Sequence, residues 1–158
     1  MGPAPWLWGV VLVLNLVGGA VLVAITAVEG ALPVAAEESL VRLADEIAHK
    51  SAAATLARAV LAGALLTLLS YLLHGAGSTT GRVLVAFMVG FFVAIGPFDH
   101  VVVSALHLLY GVWLGGTVTY GDLAANIGLA TVGNVVGGVV LMTLTHTAQV
   151  KGERSRSS

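Results

Sequence analysis

Ile95-Gly96-Pro97-Phe98-Asp99-His100-Val101 interrupts an apolar run that begins at about Gly81 and continues to Gly116. Pro97 supplies no amide donor and pushes Gly96 out of helical geometry, so this spacing predicts two half-helices separated by a break. The break also carries two ionisable groups, Asp99 and His100, in otherwise apolar surroundings. What those groups signify depends on the solvent around them, and the rest of the chain names it. Of 158 residues, 58% are apolar and only 9% charged, with a mean hydropathy of +0.98. A soluble domain carries about a quarter charged residues. The composition therefore excludes a disordered chain, a nucleic-acid binder with a basic surface and a water-soluble globule. The absence of cysteine excludes disulfides and thiolate metal sites. The solvent is lipid, and an open strand edge is not tolerated there, so we expect an all-α membrane protein.

Four transmembrane helices are expected. The first runs from Trp6 to about Val28 without a charge, and the second from about Thr55 to Leu73 with only Arg58. The third is the span broken at Gly96-Pro97, and the fourth covers about Asp122 to His146. The first is long enough to cross a bilayer of about 30 Å at 1.5 Å per residue. A signal peptide is the competing reading of the first span, with Val34-Ala35-Ala36 as a cleavage site. The lack of a basic n-region and the length of the apolar run argue against it. The loop between the first two spans sets five acids (Glu29, Glu37, Glu38, Asp45, Glu46) against Arg42 and Lys50, a net of −3. Residues 151–158 form a basic tail, with Lys151, Arg154 and Arg156 against Glu153. Positive residues stay inside, which places both termini in the cytoplasm of a multi-pass plasma-membrane protein. Leu40, Val41, Leu43, Ala44 and Ile47 recur at helical spacing, so the acidic loop is expected to hold a short interfacial helix.

An internal repeat links the first and last spans. Asn15-Leu-Val-Gly18-Gly19-Ala-Val-Leu22 matches Asn134-Val-Val-Gly137-Gly138-Val-Val-Leu141 at six of eight positions. Composition supplies Val, Gly and Leu readily, but the chain has only three asparagines, so the aligned Asn is harder to obtain by chance. The copies lie three crossings apart and run oppositely through the membrane, the signature of an inverted-topology repeat. Paired glycines admit close helix approach, and Gly133-xxx-Gly137 adds a small-xxx-small face. Each asparagine beside such a face either makes an interhelical hydrogen bond or lines a cavity.

Broken backbone at membrane depth is tolerated only where protein buries it or water reaches it, and transporters use such half-helices at substrate sites. An ionisable residue there is a functional candidate by default, which singles out His100. Its imidazole titrates near neutral pH and suits the lending of a proton or a hydrogen bond to a small anion. Asp99 either orients His100 or caps the second half-helix. His107 lies two turns on, with structural and functional roles equally open; His49, His74 and His146 sit near span ends. No HExxH, zinc-ligand set, Ser/His/Asp grouping or phosphate loop occurs, so we expect no enzyme, no metal and no cofactor.

With these residues in place the chain resembles the formate/nitrite transporter family, whose members have six helices in two inverted repeats of three and assemble as pentamers with one pore per subunit. Phe98-Asp99-His100 is similar to the Phe-Glu-His that follows the break in the family's fifth helix. Thr131-Val-Gly-Asn-Val-Val-Gly-Gly138 resembles its sixth helix, Leu12-Val-Leu-Asn-Leu-Val-Gly-Gly19 its third, and Arg58-Ala-Val-Leu the start of its fourth. The resemblance implies that His100 is the central pore histidine and Asn134 a polar pore residue. Asp99 stands for the family's Glu. Asparagines of the family pattern fall at Gly63 and Ser104, and the narrowing phenylalanine falls at Val93, with Phe92 adjacent. Residues 1–150 would correspond to helices three to six, without the first two helices, as a fragment or one half of a split transporter. The implied function is passage of a small monovalent anion (formate, nitrite or a related carboxylate) through a homo-oligomeric channel in the bilayer. A non-transporting remnant or partner subunit is the alternative.

Overall fold

The computed structural model describes residues 5–156, and every regular element among them is a helix. In order these are α1 (Pro5–Thr26), α2 (Val34–Ala48), α3 (Ala52–Gly75), α4 (Thr79–Ile95), α5 (Val101–Trp113) and α6 (Tyr120–Arg156). Three carry segments long and apolar enough to cross a membrane: Trp6–Thr26, Ala52–Gly75 and Tyr120–Thr145. The shorter α4 and α5 are apolar and flank the break at residues 96–100. The chain is thus an all-α, multi-pass membrane protein. Large apolar side chains such as Leu14, Val17, Val21, Phe87 and Leu144 are exposed. Lipid solvates such faces as readily as a neighbouring helix does, so they need no protein cover.

The described residues form two compact units. One comprises the chain up to Ala52 with Val101–Gly128, and the other Ala53–His100 with the chain from Leu129. In the first unit α5 packs against α1 and α2. The amphipathic loop helix forms as its spacing predicts. Ala44, Leu108 and Val118 make a buried cluster, with Ile47, Ala48, Val112 and Leu123 packed around it. Polar contacts fix the same helix: the Thr117 amide and hydroxyl donate to Asp45 Oδ1 at 2.9 and 2.8 Å. On α1, the Thr26 hydroxyl is hydrogen-bonded to the Tyr110 phenol.

Helix ends follow from local chemistry. Gly115 takes φ +89°, and the Gly116 amide donates back to the Gly111 carbonyl at 2.7 Å, closing α5 in a Schellman turn. Thr119 and Asp122 open α6 as a reciprocal capping box, with the Thr119 amide on Asp122 Oδ2 at 2.9 Å and the Asp122 amide on Thr119 Oγ1 at 3.2 Å. Ser78 caps α4 through the Gly81 amide at 3.1 Å. The apolar segment of α6 ends at Thr145, close to the expected limit near His146, and the helix itself continues to Arg156.

Candidate functional site

The second unit contains the break and its supports. The α4 ladder closes with the Gly96 amide on the Phe92 carbonyl at 2.9 Å. Gly96 itself is extended, at φ −82° and ψ 160°, as its position before proline requires. A three-residue turn over Pro97 follows, with the Phe98 amide on the Gly96 carbonyl at 2.8 Å. The Phe98 ring folds back onto Gly96 so closely that a Cβ there would overlap its ring carbons. The Asp99 amide then reaches the Arg58 carbonyl of α3 at 3.5 Å. Asp99 is 1% exposed. Helix α5 starts at Val101, directly after His100.

Asn134 joins three segments. Its amide nitrogen donates to the Ala59 carbonyl on α3 at 2.8 Å and to the Asp99 carbonyl in the break at 2.9 Å. This reach depends on α3 and α6 meeting backbone to backbone. A Cβ on Gly133 would lie 2.9 Å from the Leu56 carbonyl oxygen, one on Gly137 would collide with the Val60 carbonyl, and one on Gly63 with the Asn134 carbonyl. Gly138 faces Thr67 Oγ1 at 3.0 Å from such a Cβ. Gly133, Gly137 and Gly138 of α6 therefore lie at this crossing, and Gly63 of α3 is part of the opposing surface.

The matching copy on α1 is placed differently. The Asn15 side chain is exposed and donates to its own helix, at the Val11 carbonyl, at 2.8 Å. Gly18 has nothing within 4 Å of a Cβ position, while Gly19 lies under the flexible Leu106 side chain. Phe92 is 56% exposed and Val93 half-buried.

Three buried side-chain atoms have no hydrogen-bond partner among the described residues: His100 Nδ1, Thr131 Oγ1 and Asn126 Oδ1. The first two belong to the unit that holds the break. The sequence assigns a role to neither Thr131, which appears there only as the first residue of a family-like segment, nor Asn126, whose one signal is the rarity of asparagine. Among the described residues no group of three or more His, Cys, Asp and Glu is placed to hold a metal ion.

A family model described as "Formate/nitrite transporter" matches residues 1–148. Over 94% of the chain, the sequence is 28% identical to "Inner membrane protein YfdC" of Escherichia coli strain K12, covering 47% of that protein. It is 32% identical to "Uncharacterized transporter YrhG" of Bacillus subtilis strain 168, again over 94% of the chain and covering 57% of that protein. The chain spans about half the length of these curated relatives. No solved structure matches it significantly.

Proposed function

From the premise that the chain belongs to the formate/nitrite transporter family, a family of transporters rather than enzymes, we propose that it carries a small monovalent anion such as formate, nitrite or a related carboxylate across the plasma membrane. The carrying observation is the break at residues 96–100. Its main chain is held by Asn134 and Arg58, and it presents His100 with a buried Nδ1 that no described residue satisfies. A buried unpaired nitrogen loses about 1–3 kcal/mol unless something else meets it, which marks it as a place for water or solute. His100 donates a proton or hydrogen bond to the anion, with Asp99, Asn134, Phe92 and Val93 as the other residues of the pathway. Helices α4 and α5, about 25 and 20 Å long at 1.5 Å per residue, cross as the one broken third span of four. The charge asymmetry puts both termini in the cytoplasm. The inverted repeat, correspondence to helices three to six and assembly as a homo-pentamer are further parts of this reading. His100→Phe, reconstituted in liposomes, should abolish or reshape pH-dependent formate flux. Wild-type flux with an unaltered pH profile would refute the role.

One observation favours a second reading, in which the chain works as the partner of a further subunit. In the repeat, Asn134 and Gly137 pack against α3, whereas among the described residues Asn15 bonds its own helix and Gly18 has nothing near a Cβ position. Under this reading the chain alone gives no flux and associates with the subunit that covers α1.

A further inference from the structure

We propose that Thr131 is a second contact for the permeating anion, its hydroxyl donating to an anion oxygen near His100; this rests on the transport reading above. A threonine inside a helix ordinarily bonds its hydroxyl to the carbonyl four residues earlier. Five helical threonines here do so: Thr26 to Leu22, Thr67 to Gly63, Thr143 to Val139, Thr145 to Leu141 and Thr147 to Thr143, all at 2.7–2.9 Å. Thr131 departs from this habit. Its Oγ1 is buried and bonds neither the Ile127 carbonyl nor any other described group. The hydroxyl has left the partner always present on its own helix.

Its position gives the departure a use. Thr131 precedes Asn134 by three residues on α6, so the two share a helix flank with about 5–6 Å between Cβ atoms. Asn134 is bonded to the Asp99 carbonyl, and His100 is the next residue. Within one unit, the two buried polar atoms without a described partner, Thr131 Oγ1 and His100 Nδ1, thus belong to residues next to the two ends of the Asn134–Asp99 hydrogen bond, one a helical turn before Asn134 and the other following Asp99. Asn134 has its amide engaged by two carbonyls, and it serves to position the break. The hydroxyl is a neutral donor that also accepts, so it can hold an oxyanion and release it without the deep trap a fixed cation would make.

Three variants test this: Thr131→Val, which keeps the shape and removes the hydroxyl; Thr131→Ala, which removes it without crowding; and Thr131→Ser, which retains it. Formate flux into proteoliposomes and the formate-induced rise in melting temperature of the solubilised protein are read together. Val and Ala should lower flux about tenfold or more and lose the formate-dependent rise, while Ser stays near wild type. Flux and formate response retained in Val or Ala overturn the contact. So does a melting temperature that rises in Val with no formate effect in any variant, which would mean an idle hydroxyl. A change in melting without formate dependence would mean a bound water, and overturns it too. If His100→Phe alters flux while Thr131→Val does not, the contact fails and the transport reading survives. If the wild type shows no flux but a formate response that Val abolishes, the contact stands and the transport reading fails.

Discussion

Replacing Asn134 by Leu tests how the break is held. The Asn134 amide nitrogen donates two hydrogen bonds, at 2.8 Å to the Ala59 carbonyl and 2.9 Å to the Asp99 carbonyl. Interhelical hydrogen bonds in membrane proteins average about 0.6 kcal/mol and reach about 1.7, so the pair contributes roughly 1–3 kcal/mol. The loss falls unevenly. The Ala59 carbonyl lies within the regular ladder of α3, whereas the Asp99 carbonyl belongs to the non-helical backbone of the break. The expected result is a stability loss of about 1–3 kcal/mol by unfolding in bicelles, with faster amide exchange concentrated at residues 98–101. Asn134→Asp should lose at least as much, because an ionised carboxylate donates nothing and would face two carbonyl oxygens. Stability within about 0.5 kcal/mol of wild type for Asn134→Leu, with exchange at the break unchanged, would refute the reasoning.

Two other perturbations follow from the packing. Gly63→Ala puts a Cβ into the Asn134 backbone, where no flexible side chain can yield, and should destabilise by about 1–3 kcal/mol. Gly18→Ala meets nothing within 4 Å and should be neutral, or gain up to ~1 kcal/mol in helix propensity; equal melting shifts for the two would contradict the packing described. Asp45→Ala removes both bonds from Thr117, and should weaken the first unit by about 1 kcal/mol and raise amide exchange along α2. Protection of α2 at the wild-type level would show that its apolar face alone fixes it.

The parts of this structure that could be read from sequence are those determined covalently or by local period. Pro97 breaks its span whatever surrounds it, and the break lies where Gly96-Pro97 puts it. Ala44 and Ile47 share one face of α2 because a helix repeats every 3.6 residues. The end of α6 was harder for a definite reason. The change to polar residues after His146 marks where the chain leaves hydrocarbon, but Lys, Glu and Arg are good helix formers and continue the ladder to Arg156. Partners were the least legible. Asn15 and Asn134 stand in nearly identical octapeptides, yet one bonds its own helix and the other joins α3 to the break. Nothing in the octapeptide distinguishes them. What differs is the surface opposite: Gly63 and Ala59 let the α3 backbone come within reach of Asn134, and no described group does so for Asn15. Thr131 was illegible for the complementary reason, since a helical threonine carries a default partner and only coordinates reveal that it has been given up. A buried break therefore needs two kinds of residue on the neighbouring helices. Glycines bring the backbones close enough for an asparagine to bind freed carbonyls, and in the transport reading proposed above the Thr131 hydroxyl and His100 Nδ1 are the groups that meet the anion.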